Sequence, residues 1–172
     1  MAIRTILRYP DKRLRVKAET VTAVDDAVRA LCEDMAETMY AAPGVGLAAP
    51  QIGVALKIFV IDVASGSDDP SELRYFINPE ITRRVGEVVW EEGCLSFPGI
   101  HEEIDRAEQV TVRALGLDGQ PFELDADGLL AIAIQHEYDH LDGTLMVDRV
   151  SLLKRRMIDR EMKKRALQDA RP

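Results

Sequence analysis

The chain has 172 residues, 47% hydrophobic and 30% charged, and its 30 acids against 22 bases give a net charge of −8. That length accommodates one domain with a real hydrophobic core, and no apolar run approaches the roughly 18 residues a membrane span requires. Residues 1–8 hold no apolar core and no small-residue cleavage site, so no secretory leader is expected. Without one, the two cysteines, Cys32 and Cys94, point to a reducing compartment, the cytoplasm.

In chain order, the first helix signal is Asp25 or Asp26 as N-cap, followed by Val28, Leu31, Cys32, Met35 and Met39 at helical spacing. Cys32 lies in that stripe and is expected as a buried structural thiol; Pro43 and Gly44 end the helix. Residues 57–63 read as a buried strand, being β-branched and aromatic, and residues 64–71 as a surface loop. Further strands are expected at 75–77, 85–90 and 110–115, the last joined through the Asp118-Gly119 turn to a hairpin partner at 121–124. From Asp127 the period changes. Leu129, Ile132, Ala133, His136 and His140 form one stripe and Leu130, Ile134, Tyr138 and Leu141 another, the pattern of a helix buried on most of its circumference, with Gly143 placed to cap it.

A final amphipathic helix is expected from about Ser151 to Gln168. Residues 149–171 hold nine Lys/Arg against three acids, a local balance of +6, so the remainder of the chain carries −14. Mixed-charge solvated surface accounts for such a segment, and so does a basic interaction tail. The expected architecture is α+β: antiparallel sheets around a buried central helix, in a single domain, 1–172, whose residues from about 150 form the basic C-terminal helix and tail.

The chemistry concentrates in His136-Glu137-Tyr138-Asp139-His140. On a helix, residues four apart sit one above the other, so both imidazoles can reach one metal ion, while Glu137 lies about 100° round from His136, within reach of a metal-bound water. A third ligand remains to be chosen. The position six residues past His140 that a three-histidine protease site would use is Met146. Glu161 is the single downstream glutamate, set among Arg160, Lys163, Lys164 and Arg165, where a solvent-facing salt bridge suits it better. Upstream, Cys94 sits where a strand gives way to a loop and as thiolate is a strong ligand. Two histidines, one cysteine and water leave the open position a catalytic metal needs. His101 could compete, although an exposed loop position suits it better.

Gly44-Val45-Gly46-Leu47-Ala48-Ala49-Pro50-Gln51 imitates a dinucleotide fingerprint, but it follows a helix and Pro50 interrupts any helix opening there. A glycine-rich loop that lets backbone approach a substrate, with Gln51 as hydrogen-bond donor, is the alternative. Two other site types stay open: a metallopeptidase with Glu161 as third ligand, and a structural metal module that binds a partner through the basic helix.

Taken together, residues 44–51, Glu92-Gly93-Cys94-Leu95-Ser96 and the His136–His140 segment resemble the polypeptide deformylase family. Its pattern is a G-x-G-x-A-A-x-Q loop, an E-G-C-x-S segment and an H-E-x-D-H helix in this order, and the similarity extends across nearly the whole chain. The resemblance implies a bacterial, cytoplasmic hydrolase that removes the N-formyl group from the initiator methionine of nascent polypeptides and releases formate. It further implies Cys94, His136 and His140 as metal ligands, with metal-bound water attacking the formyl carbonyl and Glu137 as general base and acid. Gln51 and the backbone N–H of Leu95 would hold the developing oxyanion, each donor contributing about 3 kcal/mol in comparable sites.

Gly44 and Gly46 would run beside an extended substrate, with Glu92 and Gly93 next to it. Val45, Trp90, Leu129, Ile132 and Ala133 are candidates for a methionine pocket. His₂Cys ligation alone suggests Zn(II) by affinity order. The resemblance implies Fe(II), one per chain, replaceable by Ni(II), Co(II) or Zn(II) in purified protein. As partners it implies the formyl-methionyl nascent peptide and the ribosome, through Lys154 to Arg165 of the tail, with neither DNA nor membrane.

Overall fold

A computed structural model describes residues 2–170. Helix α1 spans Asp26–Ala41 and is opened by Asp25, whose side chain accepts the Val28 N–H. Short strand β1 (Gly46–Ala48) follows it, then a 3-10 turn, Ala49–Ile52, and strand β2 (Ile58–Ile61). Strands β3 (Arg74–Val85), β4 (Val88–Cys94), β5 (Phe97–Arg106), β6 (Gln109–Leu115) and β7 (Pro121–Ala126) lead to helix α2 (Gly128–Leu141) and helix α3 (Leu152–Asp169).

The strands form an antiparallel five-stranded sheet, in the order β1-β2-β3-β6-β7, and a separate two-stranded hairpin, β4-β5. Strand β2 is buried at every position because both faces of the sheet are covered. Ile58 and Val60 pack with Met35 and Met39 of α1, whereas Phe59 and Ile61 pack with Ala131 and Ile134 of α2. Successive strand residues point to opposite faces, so α1 and α2 flank the sheet. A third cluster, including Leu14, Phe97, Ile104, Met146, Ile158 and Met162, joins the hairpin to the C-terminal segment. This is the expected α+β class, with α2 as the buried central helix and Gly143, at φ +74°, just past its end.

Three expectations are corrected. Residues 85–90 are not one strand: Gly86 turns the chain at φ +72°, so Val85 ends β3 in one sheet and Val88 begins β4 in the other. After Cys94 only Leu95 and Ser96 form a turn; the stretch from Phe97 is not a loop but β5, and His101 lies on that strand opposite Gly93. Helix α3 buries little beyond Ile158 and Met162, leaving Leu152, Leu153, Met157 and Leu167 exposed, so its amphipathic character is weak.

Candidate metal centre

On α2, His136 is 9% and His140 1% exposed, and their rings stand edge to face with centroids 5.1 Å apart. Cys94 reaches them from the hairpin. The β4–β5 register runs evenly from Val88↔Arg106 to Gly93↔His101, then shifts so that Cys94 faces Phe97. That irregularity brings Cys94 Sγ to 3.5 Å from His140 Nε2, and one donor atom from each of Cys94, His136 and His140 lies within 4.8 Å of the others. Metal–sulfur and metal–nitrogen bonds of ordinary length at a tetrahedral angle separate their donors by about 3.6 Å. The donor set fits a divalent first-row metal ion both in chemistry and in spacing. The other candidates for third ligand lie elsewhere: Glu161 pairs with Arg165 at 3.0 Å on α3, and His101 is exposed on β5.

Glu137 is 4% exposed, and its Oε1 has no hydrogen-bond partner among the described residues. Burial pushes its pKa up to about 7, with Glu92 and Asp139 adding to the rise and His136 opposing it. A carboxyl group poised near neutrality can both accept and donate a proton. His140 is driven well below the usual imidazole range, by burial first and then by His136 and Arg106, which favours the neutral ring that ligates. Burial pushes the Cys32 thiol up to about 12, an inert core thiol as expected.

Glu92 makes contacts that its sequence context did not disclose. Although it borders the cleft, its carboxylate is already engaged: Arg106 donates to both oxygens at 2.7 and 2.8 Å, and His136 Nδ1 lies 2.9 Å from Oε1. Burial alone would raise its pKa, yet the bonds from Arg106 and His136 outweigh this and hold it down at about 2. Neither Arg106 nor its second acceptor, Asp139, was assigned a role from sequence, and Arg149, which also binds Asp139, was read as part of the basic tail.

Gln51 is 1% exposed. Its Oε1 accepts the Ala48 N–H at 2.9 Å, while Nε2 donates to Ser96 Oγ at 3.1 Å and points toward Cys94 Sγ, 3.7 Å away. The N-terminal segment ties these loops together, Leu7 N–H donating to the Gln51 carbonyl and Tyr9 N–H to that of Ser96. Gly44 leaves room for Leu95, since a β-carbon there would fall 2.7 Å from Leu95 Cδ1.

One cleft of about 770 Å³ is lined by Cys94, His136 and Glu137, with His140 buried behind them. Gly44, Val45, Gly46 and Gln51 border it, together with Trp90, Gly93 and Leu95 of the hairpin. Leu129, Ile132 and Ala133 of α2 also line it; Ile132 and Ala133 are buried, whereas Leu129 is 39% exposed. Sequence reasoning did not anticipate Ile3, Ile6 and Ile100 along the same walls.

Comparison with known proteins agrees with this geometry. The profile of the polypeptide deformylase family matches residues 3–156. Peptide deformylase 1 of Burkholderia multivorans is 56% identical over 165 residues, covering 95% of this chain and 90% of that protein. The peptide deformylase of Pseudomonas aeruginosa is 52% identical over 171 residues, covering 99% and 100%. Among solved structures, a peptide deformylase from Legionella pneumophila superposes with a TM-score of 0.90 at 49% identity, covering 99% of this chain and 100% of that one. The Ehrlichia chaffeensis peptide deformylase in complex with actinonin does so with a TM-score of 0.90 at 38% identity, covering 96% and 98%. The chain therefore belongs to the polypeptide deformylase family, metal-dependent hydrolases that remove the N-formyl group from nascent polypeptides.

Proposed function

We propose that in this reaction Cys94, His136 and His140 hold one divalent metal ion per chain, Fe(II) in the cell, with Ni(II), Co(II) or Zn(II) able to take its place in purified protein. The observation that carries this reading is the convergence of a thiol and two imidazoles within 4.8 Å of one another, beside a cleft that Cys94 and His136 line. An ion there supplies Lewis acidity, lowering the pKa of water and polarising a carbonyl oxygen.

Glu137, with a pKa near 7, accepts the proton of the attacking water and delivers it to the methionine nitrogen as the formyl C–N bond breaks. Formate and a free α-amine leave. Gln51 Nε2 and the Leu95 N–H donate to the formyl oxygen as it gains charge. Gly44, Val45 and Gly46 lie along an extended substrate backbone, and β1 is an edge strand, paired on one side only by β2. Trp90, Gly93, Leu129, Ile132 and Ala133 enclose the methionine side chain. Glu92 serves the site through His136, fixing the ring at Nδ1.

Residues 1–172 act as one catalytic domain, working in the cytoplasm. No helix among the described residues is long and apolar enough to cross a membrane. Helix α3 contacts ribosomal RNA near the nascent chain. Lys154, Arg155 and Arg165 are engaged by Glu102, Asp148 and Glu161, whereas Arg156, Arg160, Lys163 and Lys164 form no ion pair among the described residues and supply the charge. Salt-independent ribosome association would overturn that contact.

The test of the whole reading is formate release from a formyl-methionyl peptide, run anaerobically on Fe(II)-loaded protein with metal analysis. Formate with one metal per chain is expected. Full metal content without formate would overturn the assignment.

A further inference from the structure

We infer that Arg149, in the 3-10 turn Met146–Arg149 that leads into α3, is a positioning residue for the metal centre. It acts on His136 through Asp139, Arg106 and Glu92, and the inference rests on the reading of Cys94, His136 and His140 as metal ligands. Arg149 grips Asp139 with two parallel bonds, Nε to Oδ2 at 2.6 Å and Nη2 to Oδ1 at 2.7 Å. Asp139 Oδ2 also accepts from Arg106 Nη1 at 2.7 Å. Arg106, its side chain only 3% exposed, donates its remaining nitrogens to Glu92, and Glu92 Oε1 meets His136 Nδ1 at 2.9 Å.

Two guanidinium groups thus balance two carboxylates in a largely buried row, and every link is charge-assisted. Without Arg149 the row carries an uncompensated negative charge, and Asp139 competes with Glu92 for Arg106. Any movement of Arg106 toward Asp139 loosens the fork that holds Glu92 on the imidazole. The centre has little else to absorb this, since among the described residues His140 Nδ1 is buried without a partner and, of the two histidines, His136 alone is braced from behind. Arg149 itself does not border the cleft, so its effect reaches the ligand and not the peptide.

The experiment measures Ni(II) dissociation constants by chelator competition, the absorption bands of the Co(II)-loaded protein, and kcat and KM, for wild type, Arg149→Met, Arg149→Lys and Asp139→Asn. Removing a direct brace on a ligating histidine costs about 10–100-fold in metal affinity. Arg149 stands further back, and about three- to tenfold weaker Ni(II) binding is expected for Arg149→Met. Shifted Co(II) bands, lower kcat and unchanged KM should accompany it, with partial recovery in Arg149→Lys. In the Asp139→Asn background Arg149→Met should add nothing.

Unchanged Ni(II) affinity and Co(II) bands in Arg149→Met, even with a lowered melting temperature, would reduce Arg149 to a structural bridge and overturn the inference. Persistence of its full effect without Asp139 would overturn it as well. Should Arg149→Met not fold, Arg149→Lys decides: wild-type affinity and bands refute the inference, and a weaker, spectrally shifted site upholds it. A wild type that bound no Ni(II) would instead remove the metal-site reading itself.

Discussion

Glu137 lies so close to the backbone of Gly46 that a β-carbon at that position would stand 2.7 Å from its Oε2. Strand β1 and helix α2 therefore meet at a contact that admits only glycine unless the carboxylate moves. In Gly46→Ala the new methyl should displace the proton carrier while leaving Cys94, His136 and His140 in place. Misplacing a reacting group by about 1 Å costs up to about 100-fold. We expect kcat to fall about 10–100-fold with metal content unchanged, checked by steady-state kinetics beside metal analysis. Wild-type kcat would show that Glu137 tolerates the shift.

Glu137→Gln keeps the volume of the side chain but not its basicity. Proton transfer of this kind contributes about 10²–10⁴-fold, and a loss of that order in kcat is expected with full metal retention. Loss of the metal instead would mean that Glu137 is a ligand.

Cys94→Ala should abolish stoichiometric metal binding, whereas Glu161→Ala should retain it, because Glu161 faces Arg165 on α3. Metal analysis of the two purified variants separates the cases. The reverse outcome would restore the metallopeptidase arrangement.

Gln51→Ala removes the Nε2 donor and also strands the buried Ala48 N–H that its Oε1 accepts. A lost oxyanion donor costs about 10²–10³ in kcat, and the unsatisfied amide about 1–3 kcal/mol of stability. Both should appear, one in turnover and one in chemical denaturation; loss of stability alone would confine Gln51 to a turn-closing role.

Asp62 gives a pH dependence remote from the metal ligands. Burial would raise its pKa, but the Tyr40 and Ser71 hydroxyls and the Ala64 and Glu72 N–H groups outweigh burial and hold it below its usual value. A pKa depressed by folding contributes stability that is present above the unfolded value, near 3.8, and is lost as pH falls through the folded one. Asp62→Asn should be less stable than wild type at pH 7 by about 1–3 kcal/mol. The gap should close as pH drops below about 4. A gap independent of pH would mean that the charge is not what these donors stabilise.

Much of the site is legible in sequence because its logic is local. Helical spacing alone places His136 and His140 on one face, and the apolar neighbours on both stripes reveal that the helix is buried. Gly44 to Gln51 reads from sequence as a glycine-rich loop, whereas Gly46–Ala48 is strand β1 and Ala49–Ile52 a 3-10 turn; that order, and its convergence with Cys94 and α2, depends on long-range pairing. Strand β5 was missed because Pro98, Gly99 and a run of acids carry little strand propensity. It is a strand because β4 pairs with it, one face packed and the other wet. Its period of two does show in Ile100, Glu102, Ile104 and Arg106 on one face. That signal could have exposed Arg106 as an inward-facing cation in need of carboxylates. The roles of Asp139 and Arg149 stayed hidden for a different reason: each reads as ordinary surface charge until the other is beside it.

The hairpin β4–β5 shares no backbone ladder with the five-stranded sheet, yet it brings Cys94 to two histidines more than forty residues downstream. An ion held by all three, as proposed, would be a removable staple across that seam. Binding at 100 times its dissociation constant adds about 2.7 kcal/mol to the folded state. Metal supply would then govern how long the chain survives as well as how fast it turns over, and a starved molecule would loosen first at the edge of its own active site.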